Sequence, residues 1–346
     1  MRLLKFYFLL ITIVISCKFH DKNKAQGLNN QSNEYDFTIA FGSCNNQVLK
    51  NNLWDDIEKN NPDVWIWGGD IIYSDTEDMA YMKKNYQTQK NNPDYKKFIE
   101  NIPVLGTWDD HDYGLNDGGK EYIKKAEAQQ LLLDFLDVSK NDIRRKREGV
   151  YYSKNFKTDK GIIKIIVLDT RYFRTALTPD TETKKRYKSN PYGQGTILGL
   201  EQWKWLENEL NTSNATFNII VSSIQFLSSE HGFETWGTMP HEVDKLEQIL
   251  KTSKAKNTII LSGDRHISEL SKKNVEGLNY PLIDFTSSGL THSYSSFKSE
   301  PNKYRVDTVV SEKSFGILQF NFENNTVLME MKGDNNNTYY NYKITY

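Results

Sequence analysis

Apolar positions follow two alternating patterns from residue 36 onward. Short continuous apolar runs, such as FTIAF, VWIW and IIKIIV, have the length and composition of buried strands. From Phe315 the chain alternates, which predicts an antiparallel hairpin that turns at 323–325. Helical spacing of apolar residues predicts four helices, over residues 46–60, 122–136, 200–210 and 241–251. Strands interleaved with helices indicate an α/β fold with at least six buried strands and an antiparallel end.

Two stretches lack either pattern. Residues 77–100 are rich in Asn, Lys and Tyr, and residues 177–195 are polar, so both are predicted to be loops or insertions at the rim of a site. No internal repeat or linker divides the chain beyond residue 36. Residues 36–346 are therefore predicted to form a single domain.

The first seventeen residues have the pattern of an export signal. Arg2 and Lys5 precede an apolar run, 6–15, that is too short to cross a bilayer as a helix. The following VISC resembles the lipobox of bacterial lipoproteins. Residues 1–16 are therefore predicted to be a signal peptide and Cys17 to carry lipid, the alternative being an ordinary signal peptide with an incidental cysteine. Residues 17–35 are polar and are predicted to form a flexible tether.

Composition narrows the class of protein. The chain is 38% hydrophobic, enough for a sizeable core, and its 44 basic and 45 acidic residues leave a net charge of -1. Such a balance provides no basic field for a stable nucleic-acid partner. We expect a monomeric, exported bacterial lipoprotein of the periplasm or outer membrane, the cell surface included. It is expected to meet the membrane through its lipid anchor only.

Polar, metal-compatible residues follow several of the predicted strands. They are Cys44-Asn45, Asp70, Asp109-Asp110-His111, Asp169 and Asp264-Arg265-His266. Ligands of open α/β sheets collect beyond the carboxyl ends of the strands, so these side chains are predicted to share one edge. In WDDHD three carboxylates flank one imidazole, and packed like charges are costly to bury. The pattern therefore predicts a bound cation.

Six motifs together resemble the alkaline phosphatase D (PhoD-like) family of calcineurin-like metallophosphoesterases. In chain order they are FGSCNNQ, WGGDIIY, TWDDHDYG, LDTRYFR, ILGLEQWKWLENEL and LSGDRH. The resemblance covers roughly residues 37–290, and the family's N-terminal accessory β domain is expected to be missing. It implies a four-layer αββα sandwich with a metal centre at the carboxyl ends of the strands.

The resemblance also implies a set of metal ligands. These are Cys44, Asp70 as a bridging carboxylate, Tyr73, Asp110, Asp264 and His266, with Asp109 as a further candidate. Carboxylates favour hard cations such as Ca²⁺, and a thiolate with a phenolate suits Fe³⁺, so Ca²⁺ and Fe³⁺ are expected, with other divalent cations as alternatives. Cys44 as a buried small hydrophobe, Tyr73 as a rim residue and Asp109 as an orienting partner of His111 remain open.

For catalysis, the resemblance implies His111 as the general acid, since phosphoester cleavage needs a proton for the leaving oxygen. Asp110 is expected beside it as a ligand. Arg171 is either a phosphate clamp or the partner of Asp169 or another acid. Asp112 is expected to fix the imidazole or to cap the loop.

Four other polar positions carry weaker expectations. Asn45 and Gln225 lie near motif positions of the family. His292 is expected to be a surface histidine rather than a rim residue. Arg174 is a weaker phosphate-binding candidate than Arg171.

These observations favour a secreted metal-dependent phosphoesterase. It would hydrolyse phosphate monoesters, diesters or both by attack of a metal-held hydroxide, with His111 protonating the leaving group. The alternative is an inactive surface lipoprotein of the same fold that binds a ligand. A sulfatase-like hydrolase is disfavoured, because the chain lacks a Cys/Ser-x-Pro nucleophile motif at the site.

Overall fold

The computed structural model describes residues 35–346, which form one compact unit. The predicted signal peptide, the lipidated Cys17 and nearly all of the tether lie outside the described residues. Within the described part, no helix combines the length and apolar character needed to cross a membrane.

Six strands of the described chain form the first sheet. Along the sequence these are β1 Phe37–Gly42, β2 Val64–Gly68, β3 Val104–Thr107, β13 Ser314–Asn321, β14 Thr326–Gly333 and β15 Thr338–Thr345. Their order across the sheet is β15-β14-β13-β1-β2-β3, with β1, β2 and β3 parallel. The hairpin predicted to turn at 323–325 is confirmed, because Asn321 of β13 pairs with Thr326 of β14.

The second sheet holds seven strands of the described chain. These are β4 Tyr152–Lys157, β5 Ile162–Val167, β8 Phe217–Val221, β9 Thr258–Ser262, β10 Ser268–Lys273, β11 Leu282–Ser287 and β12 Arg305–Val310. Their order is β12-β10-β11-β9-β8-β5-β4, and the four central strands β11, β9, β8 and β5 are parallel. Central parallel strands are covered on both faces, which explains their continuous apolar runs. A separate ribbon pairs β6 Thr178–Pro179 with β7 Tyr187–Lys188.

The helices match the sequence prediction in part. They are α1 Trp54–Glu58, α2 Met79–Lys90, α3 Pro93–Phe98, α4 Asp110–Tyr113, α5 Lys125–Phe135, α6 Gly199–Asn211 and α7 Pro240–Thr252. Short 3₁₀ turns lie at Ile143–Arg145, Trp236–Thr238 and Asp334–Asn336. The helices expected over 122–136, 200–210 and 241–251 are confirmed as α5, α6 and α7.

Two element predictions are wrong. In the stretch 46–60 only Trp54–Glu58 is helical, because asparagine side chains bond the backbone locally: Asn46 accepts from Val48 N, and Asn51 from Leu53 N. Residues 77–100 are mainly helical rather than a loop. Asp78 and Asn92 cap the starts of α2 and α3 through their side chains.

The layers follow from the faces of the strands. Along β2, Ile66 lies in the core between the sheets, whereas Trp65 and Trp67 face outward against Trp54 of α1 and Phe98 of α3. On the other side, α6 and α7 pack on the outer face of the second sheet. The predicted four-layer αββα sandwich is thus confirmed.

Candidate metal centre

The predicted ligands follow strand ends by the same short step. Cys44 comes two residues after β1, Asp70 two after β2, Asp109 two after β3 and Asp264 two after β9. Parallel strands end at the same edge of a sheet, so this step brings the four side chains together where the edges of the two sheets meet.

Several of these residues have a left-handed backbone. The φ angles are 58° at Cys44, 50° at Asp70, 70° at Asp264 and 55° at His266. A left-handed conformation costs on the order of 1 kcal/mol in a residue with a Cβ, and residues with this conformation cluster at functional sites. The rest of the fold offsets that cost and holds the four side chains in place.

A first group of ligand atoms surrounds the end of β1. One ligand atom from each of Cys44, Asp70 and His266 lies within 4.8 Å of the others. Cys44 Sγ is 3.3 Å from Asp70 Oδ2, and Tyr73 OH is 3.1 Å from His266 Nε2 and 3.4 Å from Asp70 Oδ2. Sulfur, phenol, imidazole and carboxylate therefore converge, as the sequence motifs imply.

Two further groups share the neighbouring carboxylates. Ligand atoms of Asp70, Asp110 and His111 form one group, and those of Asp109, Asp110 and Asp264 form the other. Burial, then the neighbouring Cys44 and Asp110, raise the pKa of Asp70 well above its usual range. Burial also raises the pKa of Asp264, to about 7. Without a cation, burial and mutual repulsion therefore disfavour the charged form of these carboxyls.

The donor set fits metal ions. Asp109 Oδ2 is completely buried and has no hydrogen-bond partner among the described residues, although Oδ1 of the same carboxylate has several. A buried oxygen left in this way is expected to face a cation. Asp70 belongs to both the sulfur-containing group and a carboxylate group, which is the arrangement of a bridging ligand.

His111 lies over the first group and faces the cleft. Its ring stacks on Tyr73 with centroids 4.1 Å apart, and its Nδ1 is 2.7 Å from Asp75 Oδ2. Burial lowers the pKa of His111, but the bond to Asp75 and the charges of Asp70 and Asp110 outweigh it and raise that pKa to about 10. Asp75, and not Asp109, orients the imidazole. The sequence analysis missed Asp75, whose one signal is its place five residues after Asp70.

Asp112 caps the loop, the second of its two expected roles. Its carboxylate accepts from Asp109 N at 2.6 Å, from Ile71 N at 3.1 Å and from Asp70 N at 3.3 Å. These bonds join the turn after β3 to the turn after β2. Two predicted ligands are thus fixed through one buried carboxylate.

Arg171 matches the ion-pair alternative, and its side chain pairs with acids other than Asp169. It is completely buried, its Nε donates to Asp109 Oδ1 at 2.6 Å, and its Nη1 donates to Glu234 Oε2 at 2.6 Å. Asp169 accepts from the backbone N of Arg171, not from its side chain, and also from Trp108 Nε1 and Val150 N. The role of Arg171 as a phosphate clamp stays a prediction. It would require a phosphate oxygen to replace Asp109 or Glu234 as a partner of Arg171.

Arg174 belongs to the same buried network. Its Nε lies 2.7 Å from Glu234 Oε1, and the side chain has no exposed surface. The sequence analysis did not single out Glu234, which lies outside every motif yet pairs with both arginines.

Two residues near Cys44 were also missed or misplaced by the sequence analysis. His292 is not a free surface histidine, because its ring centroid lies 4.5 Å from that of His266 and 5.1 Å from that of Tyr73. Ser288 Oγ lies 3.0 Å from Cys44 Sγ and accepts from His266 N. Its signal was its place directly after β11, at the same sheet edge as the ligands.

Asn45 and Gln225 have buried structural roles. Asn45 donates to Ile71 O and to Gln89 Oε1. Gln225 donates to Glu269 Oε1 and Thr286 Oγ1. The backbone N of Asn45 also donates to the carbonyl oxygen of Asp70, a predicted ligand, at 2.8 Å.

A cleft of about 380 Å³ opens over the carboxylate groups. Asp110, His111, Asp264 and His266 line it, with Arg186 from the predicted rim stretch 177–195 at its mouth. The other predicted rim stretch, 77–100, contributes no residue to the lining. The cleft opens the ligand groups to solvent.

Comparisons with known proteins agree with this architecture. Residues 39–335 match the family model described as PhoD-like phosphatase. Alkaline phosphatase D of Bacillus subtilis (strain 168) is 24% identical over 193 residues, which is 51% of this chain and 33% of that protein. The chain thus spans about a third of the length of this curated relative.

The solved structure of PhoD shares the fold. It superposes with a TM-score of 0.67 at 18% identity, over 89% of this chain and 68% of that one. With the family model covering most of the chain and the ligand groups in place, the motifs found in the sequence are confirmed as a family signature: this chain belongs to the PhoD-like phosphatase family.

Proposed function

We propose that this protein is a metal-dependent phosphoesterase that hydrolyses phosphate monoesters, diesters or both. The observation that carries the proposal is the meeting of three overlapping groups of ligand atoms beside His111 at one edge of the sandwich. Membership of the PhoD-like phosphatase family supports it. Such an enzyme releases phosphate or a phosphomonoester together with an alcohol.

The chain's own residues divide into two ligand sets. Cys44, Asp70, Tyr73 and His266 would hold an iron, because a thiolate and a phenolate suit Fe³⁺. Calcium or another hard divalent cation would be held by carboxylate oxygens of Asp70, Asp109, Asp110 and Asp264. When bound, the metal ions activate a water molecule as the nucleophile and offset the charge of the phosphoryl group.

His111 supplies the proton. Its Nδ1 is engaged by Asp75, so Nε2 is the ring nitrogen that remains to donate. The hydrogen bond to Asp75 favours the protonated ring. As the bond from phosphorus to the leaving oxygen breaks, the proton on Nε2 passes to that oxygen, and an alcohol departs instead of an alkoxide.

Hydrolysis of p-nitrophenyl phosphate and of bis-p-nitrophenyl phosphate tests the proposal. The protein starting after Cys17 is assayed with Ca²⁺ and Fe³⁺ and again after chelation, beside His111→Ala. We expect metal-dependent turnover that falls roughly a hundredfold or more in the variant. The ratio of the two substrates gives the ester class. A metal-loaded wild type that turns over neither ester would favour the ligand-binding lipoprotein instead.

We also propose that the protein is an exported, monomeric lipoprotein anchored through Cys17. The basic start, the short apolar run and VISC support this. Metabolic labelling with a fatty acid tests it: the wild-type chain is expected to be labelled and Cys17→Ala is not. Labelling of both proteins would contradict lipidation at Cys17.

A further inference from the structure

The acidic lining of the cleft would repel a phosphate substrate. Its inner wall carries the carboxylates Asp110 and Asp264, and Glu234 also contributes to the lining. A phosphate ester is itself an anion, so cations from the protein at the mouth would strengthen its binding beyond what bound metal ions provide. The arginines near the cleft are the candidates for this role.

Most of these arginines are buried or already paired with carboxylates of the protein. Arg171 and Arg174 are completely buried behind the carboxylates. Arg265 lines the cleft, but its Nη2 lies 2.9 Å from both oxygens of Glu300, its guanidinium lies over the Phe233 ring, and its side chain is only 10% exposed. None of the three has a guanidinium face open to a substrate.

Arg186 is different. It lines the same cleft, its side chain is 51% exposed, and its ion pair is with a single carboxylate oxygen, Asp117 Oδ2 at 2.5 Å. A guanidinium has five N–H donors in a planar fork, and two of them can bind one phosphate. Among the arginines that line this cleft in the described chain, Arg186 is the one with donors accessible to solvent.

The backbone beneath Arg186 is well anchored. The residue lies immediately before β7, where Asp180 N donates to Arg186 O, and Tyr187 N donates to Gly232 O at 2.9 Å. Asp117 N in turn donates to Asp110 Oδ2 at 2.7 Å. Asp117 thus links the guanidinium of Arg186 to Asp110, a predicted metal ligand.

If the Arg186 guanidinium leaves Asp117 to bind a substrate oxygen, the Asp117 carboxylate still has hydrogen-bond partners. Asp117 Oδ2 also accepts from Tyr187 OH at 2.7 Å and from Asn116 Nδ2 at 2.9 Å. Because these bonds remain, Arg186 can turn toward the cleft at little cost.

We propose that Arg186 is a substrate-binding residue that contacts anionic oxygens of the substrate phosphate in the cleft. The inference rests on the proposed phosphoesterase function and adds a substrate preference to it. A monoester phosphate carries two negative charges and a diester one, so Arg186 stabilises bound monoesters more strongly. The rim ribbon of β6 and β7 is thereby a determinant of specificity.

Arg186→Gln tests this, with Lys188→Gln as the matched control. Lys188 belongs to the same ribbon and pairs with Glu182, but it does not line the cleft. Both variants lose one positive charge from exposed positions, so folding is expected to be unaffected, which thermal unfolding checks. KM and kcat are measured for p-nitrophenyl phosphate and the bis ester, with bound metal per chain and the affinity for inorganic phosphate by calorimetry.

We expect Arg186→Gln to raise KM for the monoester about tenfold or more, as for the loss of a charge-assisted hydrogen bond. Phosphate affinity should fall in parallel, with a smaller effect on the diester and kcat and metal content close to wild type. Lys188→Gln should behave as wild type.

Unchanged KM and phosphate affinity in Arg186→Gln would overturn the inference, as would equal effects on the two esters. So would a loss of bound metal with lower kcat, because that result assigns Arg186 a role in holding Asp117 and Asp110. If the wild type binds phosphate but hydrolyses neither ester, the phosphoesterase proposal fails instead, and the phosphate titration still tests Arg186.

Discussion

At the scale of single residues, the site depends on side chains that touch the ligands as well as on the ligands themselves. Asp75 is the clearest case, because its Oδ2 lies 2.7 Å from His111 Nδ1 and fixes which ring nitrogen faces the cleft. It is not a ligand in any of the groups at the strand ends. It is a positioning residue, and its removal should affect turnover more than binding.

Asp75→Asn is therefore expected to lower kcat on the order of tenfold, since the imidazole loses its orienting carboxylate while KM and bound metal stay near wild type. Steady-state kinetics and metal analysis measure this. Asp78→Asn is the control, because Asp78 only caps α2. A kcat equal to that of wild type would show that the packing of His111 on Tyr73 suffices.

Cys44→Ser provides a second residue-scale prediction. Serine keeps the size of the side chain but removes the thiolate that suits iron, so bound iron per chain is expected to fall by more than half, while calcium is retained. Elemental analysis of the purified protein measures both metals. Equal iron in the two proteins would place Cys44 outside the ligand set and return it to the role of a buried small hydrophobe.

Motif residues were identified from the sequence because they follow apolar strands, whose carboxyl ends must meet. Asp75 and His292 were not placed there, because each is brought to the site by a loop whose course depends on packing, whereas Ser288 directly follows β11 and could have been found by the same rule. Arg171 shows the same limit in another form. Its residue type indicated an anion partner, but only the fold decides between substrate phosphate and the buried carboxylates Asp109 and Glu234.

At the scale of elements, local side-chain bonds explain the mistaken helix and the missed ones. Asparagines at 46 and 51 bind nearby backbone groups and delay α1, whereas Asp78 and Asn92 bind backbone N–H groups at the first turns of α2 and α3. Apolar periodicity is weak in α2 and α3, so capping was their better signal. The central strands, with continuous apolar runs, were predictable from hydrophobicity alone, whereas the more polar strands β4, β10 and β12 were not predicted.

The start of α7 is joined to the start of α6 by one carboxylate. Glu242 is buried and accepts from Trp203 Nε1, Ile197 N and Thr196 Oγ1. Glu242→Ala is expected to lower the free energy of unfolding by roughly 3 kcal/mol, because four donors, Leu198 N among them, lose their acceptor. Urea unfolding measures this, with the exposed Glu207→Ala on α6 expected within about 0.5 kcal/mol of wild type. A loss as small as that control would contradict the argument.

At the scale of the whole molecule, acid should weaken the fold through a buried histidine. Burial, then the charges of Arg265 and Lys185, lower the pKa of His231 to about 3. The unfolded chain titrates near 6.5 and so binds a proton that the folded chain excludes. The contribution of neutral His231 to the free energy of unfolding is therefore complete above about pH 6.5, and it is lost as the pH falls toward 3.

His231→Gln should remove this dependence. Between pH 6 and 4 the free energy of unfolding of the wild type is expected to fall by about 1.4 kcal/mol per pH unit relative to the variant. Chemical unfolding at three pH values, with His241→Gln as a second histidine control, measures the difference. Parallel pH profiles for the wild type and His231→Gln would refute the assignment.

The crowding of buried carboxyl groups at one edge also has a consequence for resistance to proteolysis. Burial raises the pKa of Asp70, Asp109 and Asp264, so their charged forms disfavour the folded chain until a cation binds, and metal uptake contributes directly to the free energy of folding. The metal-free chain opens more often and presents more cleavable backbone to proteases. Where metal is scarce, we expect the protein to be degraded faster, so that the supply of ions sets its half-life.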